Sequence, residues 1–206
     1  MSTEQIQLFF KNLQSRKMTG RYFEDAPALL SWLTSEIPTG ATVGLGDSET
    51  LIETGILEFL RQPRFHLLDK YRPNITREEK QQIYQQNFSA DCFFLGANAL
   101  SQTGEIIQID GNGSRVAPMI YGPKKVYVIA GVNKLCPSLE DAQTRARQTA
   151  GPLDAKRLGK TTPCVALLKC VDCRHPKRIC NSFVTLSSQF DPDRITVCLI
   201  NKNLGY

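Results

Sequence analysis

Two glycine-bearing segments of this 206-residue chain have the composition of ligand loops: Gly44-Leu45-Gly46-Asp47-Ser48-Glu49-Thr50 and Gly111-Asn112-Gly113-Ser114-Arg115. Each lies between an apolar run and a plausible helix start, where glycines let backbone approach a ligand and free N–H groups face an anion. In the first, Gly44, Gly46 and Ser48 are the candidate contacts. Glu49 fills the third glycine position of a dinucleotide fingerprint and no Gly-Lys-Ser/Thr element follows, so standard NAD and ATP loops are excluded. In the second, Gly113 frees the turn and Arg115 can fork onto a carboxylate or phosphate. Read singly, each loop is also what a capped helix behind a tight turn, or an Asn-Gly turn with a surface arginine, looks like. Two such loops in one sheet argue for a shared anion site.

Further polar residues follow apolar runs in the stretch 90–135: Asn98, Thr103 and Gly104, then Asn133 and Lys134. Strand ends are where an α/β sheet binds ligands, so these are candidate binding residues. Lys134 could supply a point charge or, if desolvated, a nucleophilic amine; a solvated loop lysine is the plain alternative. Glu49 and Glu105, with Glu53 behind them, are candidate acids, bases or nucleophiles, although no carboxylate pair has diagnostic spacing. Cys164, Cys170, Cys173 and Cys180 follow the order C-x5-C-x2-C-x6-C. Four thiolates suit zinc or an iron-sulfur cluster, but the spacing matches neither a ferredoxin run nor a zinc ribbon, and reduced, partly buried thiols in a loop fit equally well. The only histidines are His66, in an apolar run and read as a core residue, and His175, so a Ser-His triad has little support.

The elements that must position these residues follow from periodicity. Ile6, Phe9, Phe10 and Leu13 share one helical face over residues 4–16, and a second helix enters near Asp25-Ala26-Pro27. A strand at Ala41-Thr42-Val43 leads to the first glycine loop and a helix running to about Leu60; Phe65-His66-Leu67-Leu68 is a second strand. Thr76-Arg77-Glu78-Glu79 and Ser138-Leu139-Glu140-Asp141 fit capping boxes, the second opening a helix that Gly151-Pro152 should end. Strands are expected at Cys92–Leu95, Glu105–Ile109, Val126–Ala130 and Ile195–Ile200, with a hairpin around Ser101–Gly104 and a short helix from Ser114. This alternation predicts an α/β fold with a mostly parallel sheet, helices on both faces and an inserted antiparallel hairpin. One domain is expected: packing helices at 1–39, the core at 40–160, and a cysteine-bearing tail with the last strand at 161–206.

Composition bounds the rest. At 41% hydrophobic residues the chain can bury a real core, and no apolar run approaches the ~20 residues of a membrane span. The first residues lack the basic-then-apolar order of a secretory signal, and seven cysteines without one argue for a cytoplasmic, reduced protein. The net charge of +5 is mild, but Arg145, Arg147, Lys156, Arg157, Lys160, Lys169, Arg174, Lys177 and Arg178 face only Asp154 and Asp172 in the same stretch. A small anionic ligand or an acidic partner suits this patch, as does a plain solvated surface. Nucleic acid is disfavoured, because aromatic interleaving and a nucleic-acid motif are missing.

The residues also carry a family resemblance. Gly44-Leu45-Gly46-Asp47-Ser48-Glu49-Thr50-Leu51 with Glu53-Thr54-Gly55, Ala97-Asn98-Ala99-Leu100 with Thr103-Gly104, Gly113-Ser114-Arg115-Val116-Ala117 with Tyr121-Gly122-Pro123, Gly131-Val132-Asn133-Lys134, and Cys170-x-x-Cys173 with Arg178-Ile179-Cys180-Asn181 resemble, in order, the LUD-domain family of lactate-utilisation proteins, LutC-like group. Ser114 departs from the family's usual Asn. The resemblance implies a fold of the ribose-5-phosphate isomerase, glucosamine-6-phosphate deaminase and CoA-transferase type, with the loops at 44–48, 97–104 and 113–115 around a substrate pocket. It further implies a role in oxidation of L-lactate to pyruvate beside an iron-sulfur oxidoreductase subunit. A stand-alone isomerase or transferase on a sugar phosphate or CoA thioester, and a metal or iron-sulfur protein built on the four cysteines, are the other readings.

Overall fold

The computed structural model describes residues 2–206. The chain runs α1 (Thr3–Ser15), β1 (Thr19–Phe23), α2 (Ala26–Glu36), β2 (Thr42–Leu45), α3 (Glu49–Glu53), α4 (Ile56–Leu60), β3 (His66–Leu67), α5 (Arg77–Gln86), β4 (Cys92–Gly96) and β5 (Ala99–Ser101). It continues β6 (Ile106–Asp110), α6 (Val116–Ile120), β7 (Lys125–Gly131), β8 (Leu135–Cys136), α7 (Leu139–Arg145), α8 (Gly151–Arg157), α9 (Pro163–Leu167), β9 (Ser182–Leu186) and β10 (Ile195–Ile200). Six strands form one wholly parallel sheet in the order β1-β10-β7-β4-β2-β3. The expected hairpin is there, β5 with β6, but it is the centre of a second four-stranded sheet, β8-β5-β6-β9.

Alternation within the central strands assigns the layers. Phe94 of β4 and Tyr127 and Ile129 of β7 point to the face covered by α2, α3 and α4, beside Leu29, Leu33, Leu51 and Ile56. Phe93, Leu95, Val126 and Val128 point the other way, onto Phe9 and Leu13 of α1 and onto Leu100 and Ile106 of the second sheet. Burial on both faces is why these strands read as continuous apolar runs. The outer face of the second sheet, Ala99, Ile107 and Ile109, is closed by Ala142 and Ala146.

Local signals act as expected at α2 and α5, where Asp25 and Thr76 cap the helices and the Thr76-Glu79 box is complete; a second complete box, Ser2-Gln5, opens α1 and was not expected. Several expectations are corrected. The helix expected to reach Leu60 is two helices, because Gly55 adopts φ +72°, a left-handed conformation that ends one turn and opens the next. The helix beginning at Leu139 does not stop at Gly151-Pro152. A π turn over Ala146–Ala150 widens the ladder, and Pro152 then falls in the first turn of α8, where its missing N–H is not required. The short helix expected from Ser114 starts at Val116. β1 and β9 were not expected; neither is uniformly buried, so their apolar patterns are weak, and pairing with β10 and β6 makes them strands. His66 is exposed rather than a core residue, since β3 is a two-residue edge strand.

Candidate functional site

The parallel strands deliver their C-terminal ends to one side of the sheet, and a cavity of about 280 Å3 opens there. Its wall is built by the loop after β2 (Asp47 to Thr50), the end of β4 (Gly96, Asn98), the loop after β6 (Asp110 to Arg115), Lys134 after β7, and Arg157 from α8. Arg178, Asn181 and Tyr206 close it from later in the chain.

The loop after β6 is organised by one carboxylate. Asp110 Oδ1 accepts from the N–H groups of Asn112 (3.3 Å) and Gly113 (3.2 Å), and Oδ2 from those of Arg115 and Val116 (both 3.0 Å). An Asx-type turn of this kind sets the backbone before any ligand arrives. Arg115 then reaches back: its guanidinium donates to Asn98 Oδ1 at 2.9 Å, to the Ile109 carbonyl, and at 3.5 Å to the Asp47 carbonyl. Gly46 makes room for it, because a Cβ there would lie 2.8 Å from Arg115 Cγ and 3.1 Å from Leu95 Cβ. Asn98 Oδ1 also accepts from the Ile109 N–H, so Asn98 ties the ends of β4 and β6 together.

Lys134 is the cavity's buried amine. It is 3% exposed, and its Nζ bonds to Thr50 Oγ1 at 3.0 Å. Among the described residues it has no ion-pair partner. Burial, reinforced by the nearby Arg145 and Arg115 guanidiniums and only partly offset by Glu53, pulls its pKa down to about 7. The plain alternative of a solvated loop lysine is therefore corrected: the 3-10 turn after β7 folds the side chain inward. Arg145 stands behind it and donates to the carbonyls of Asn133 (3.0 Å) and Asn98 (2.5 Å).

The carboxylates around the cavity are already occupied. Asp47 Oδ1 lies 2.8 Å from Nζ of Lys70, itself 2% exposed, and accepts the Tyr71 hydroxyl at 2.7 Å. Partial desolvation would raise the Asp47 carboxyl, but Lys70, Tyr71 and Arg115 outweigh it and hold the group below its ordinary value. Glu49 pairs with Arg157 at 3.1 Å, and Arg157 also holds Asp154 at 2.7 Å. Asp110 is spent on the backbone.

Of the residues singled out by sequence, Ser48, Glu49, Asn98, Arg115 and Lys134 line the cavity. Ser48 does so as the cap of α3, accepting from the Leu51 N–H. Gly46 and Gly113 act behind it, as a gap for Arg115 and a turn at φ +83°. Gly44 packs inside β2 against Asn87 and Phe93. Asn133 serves the chain itself, its Oδ1 accepting from the Leu204 N–H at 3.0 Å. Glu105, Thr103 and Gly104 do not reach the cavity. The hairpin turns them toward α1, where the Glu105 carboxylate takes Arg16 and the Thr103 hydroxyl, both at 2.5 Å, and Gly104 sits against Asn12 and Arg16. Sequence reasoning missed Asp47, Thr50, Asp110 and the inward turn of Arg157 and Arg178. An aspartate directly before Gly-Asn-Gly was the available signal for Asp110; Lys70 has no signal, because it lies in an irregular segment.

Cys164, Cys170, Cys173 and Cys180 border an adjoining cavity of only about 20 Å3, which shares Ile109 and Arg178 with the first and lies beside Pro152 and Phe183. Among the described residues no group of three or more His, Cys, Asp or Glu side chains is arranged to hold a metal ion. The segment is instead clamped by Arg178, which donates to the Cys173 carbonyl at 2.6 Å and the Cys180 carbonyl at 2.8 Å. These residues therefore do not fit a preformed zinc or iron-sulfur site. No described helix is long and apolar enough to cross a membrane.

Among solved structures, the chain is similar to a DUF162 family protein from Deinococcus radiodurans, at 11% identity and a TM-score of 0.54, covering 97% of this chain and 99% of that one. It also aligns with eIF2B beta from Chaetomium thermophilum at 17% identity and a TM-score of 0.39, over 56% of this chain and 40% of that one. None of the curated proteins matches the chain. The six-stranded parallel sheet flanked by helices bears out the expected α/β fold with a mostly parallel sheet. The LUD-domain profile matches residues 6–200, which takes in both sheets, most of the cavity's lining and the cysteine segment: the chain belongs to the LUD-domain family.

Proposed function

We propose that this protein is a lactate-utilisation protein of the LutC-like kind, a subunit that supports oxidation of L-lactate to pyruvate, and that its cavity takes a small carboxylate of that reaction. Family membership supports the pathway, and one observation supports the ligand. Every carboxylate around the cavity is engaged by a cation or by backbone N–H groups, whereas Arg115 and Lys134 have neutral partners only. A guanidinium and an amine whose hydrogen bonds all go to neutral groups, in a walled and partly desolvated space, favour an entering anion. The volume lies at the lower edge of the ~300–1,000 Å3 usual for ligand pockets and suits an acid of few carbons.

In this reading the chain binds and orients the acid, and the electrons pass to an iron-sulfur oxidoreductase partner. Arg115 is pre-set by Asp110, Asn98 and Gly46, so little side-chain entropy is lost when a carboxylate meets it. Calorimetric titration with L-lactate and with pyruvate should show binding that Arg115→Met weakens, and an iron-sulfur oxidoreductase should co-purify. Deleting the gene should abolish growth on L-lactate. Undiminished growth, or no binding of either acid, overturns the proposal. The second reading, a stand-alone isomerase or transferase, is favoured by Glu49, the one proposed acid-base residue that lines the cavity. Turnover of a sugar phosphate that Glu49→Gln abolishes would put it first.

A further inference from the structure

We propose that Lys134 is a nucleophilic amine that condenses with the carbonyl group of a 2-oxo acid bound in the cavity, forming a protonated imine. The inference rests on the small-carboxylate reading above and deepens it by naming the ligand's reactive group. The placement of Lys134 carries it. A lysine kept only for charge gains nothing from being sunk in a wall, because desolvation costs it the charge it supplies. Structural buried lysines are ordinarily matched with a carboxylate, as Lys70 is with Asp47 at 2.8 Å. Lys134 is buried to the same degree, yet its Nζ hydrogen-bonds only to the Thr50 hydroxyl and has no carboxylate in ion-pair contact among the described residues, while two guanidiniums outweigh the more distant influence of Glu53. Desolvation plus neighbouring cations is the means by which an amine is kept free of its proton and ready to attack a carbonyl carbon.

Four side chains act on Lys134. Arg115 comes from the loop after β6, Arg145 from α7 and Thr50 from α3, and Glu53 of α3 opposes the two arginines. Glu53 is itself turned to the chain's later residues, accepting the Gly205 N–H at 2.7 Å. The step balances without an oxidant or reductant. The Nζ lone pair forms a bond to the carbonyl carbon, the carbonyl oxygen takes up the two amine protons and leaves as water, and one proton from solvent remains on the imine nitrogen. An amine, a ketone and one proton thus give an iminium ion and one water. Arg115 is the available partner for the acid's carboxylate, and Thr50 orients the amine.

The test is reductive trapping. The full-length protein is incubated with pyruvate and sodium cyanoborohydride, which delivers hydride to an iminium ion, and is then analysed by intact mass and peptide mapping, with calorimetry of pyruvate run beside it. The expected result is a single pyruvate-derived secondary amine at Lys134, absent with L-lactate, which has no carbonyl. It should be lost in Lys134→Met and in Lys134→Arg, both checked for folding by thermal melting. The trapping rate should climb as pH rises through about 7, the value at which this amine sheds its proton. Pyruvate binding without an adduct overturns the imine while leaving the anion pocket standing, whereas no binding and no adduct overturns both. An adduct at another lysine, or one that persists in Lys134→Met, overturns the imine as well, and the peptide map of the wild-type protein decides this even if a variant misfolds.

Discussion

Asp110→Asn changes one carboxylate oxygen into an NH2 group and leaves the size of the side chain alone. In the native loop, four backbone N–H groups converge on that carboxylate, two on each oxygen. Asparagine can keep one pair; at the other oxygen, two donors now face a third donor. If the amide keeps its oxygen toward Arg115 and Val116, the pair lost is the longer one, at 3.3 and 3.2 Å; otherwise it is the 3.0 Å pair that includes the buried Val116 N–H. A buried unpaired donor costs about 1–3 kcal/mol, so the expected destabilisation is about 2–4 kcal/mol. For a chain of this size that lowers the melting temperature by roughly 5–15 °C. Urea denaturation with an unchanged m-value measures it, and hydrogen exchange should locate the loosening at residues 111–116. Because Arg115 is carried on this loop, affinity for pyruvate should fall together with the protection of those amides. A variant less than about 1 kcal/mol less stable, with the loop still protected, would show that Asp110 does not organise the site.

Other perturbations separate the cavity from its surroundings. Gly46→Ala places a methyl group against Arg115 Cγ and should weaken carboxylate binding about tenfold (about 1.4 kcal/mol) with a smaller effect on stability; unchanged affinity by calorimetry would mean that Arg115 moves aside freely. Glu105→Gln should cost about 1–2 kcal/mol in urea denaturation through its Arg16 contact yet leave ligand affinity as in the wild type, and a loss of affinity would return Glu105 to the candidate site. The folded pKa of Lys134, about 7, lies below its ordinary 10.5, so between these values the unfolded chain binds the extra proton and stability rises with pH. The stability of the wild type relative to Lys134→Met should therefore climb across that window, and a flat difference would place Lys134 in solvent. Purified protein should carry less than stoichiometric zinc and iron, and elemental analysis giving one metal per chain would revive the cysteine reading.

The sequence alone was enough for most of the alternating strands and helices, though not for β1, β8, β9 or α9, and for the capped helix starts at Asp25, Thr76 and Ser138, the mostly parallel sheet, the hairpin and the two glycine loops. These are local matters: periodicity, caps and turn residues act within a few positions, and strands buried on both faces cannot hide their apolar runs. Tertiary structure decided which polar residues share a space. Thr103, Gly104 and Glu105 stand beside Asn98 in sequence, but the second sheet turns their hairpin toward α1 and takes them from the cavity. Arg157 read as one charge of a basic patch, and Lys134 as a candidate binding residue that could equally be a solvated lysine; both line the cavity, because the π turn carries the helix past Pro152 and the turn after β7 points inward. The state of Lys134 illustrates the general reason. Its protonation depends on burial and on Arg145, Arg115 and Glu53, which come from three separate elements and meet only when the sheets are assembled.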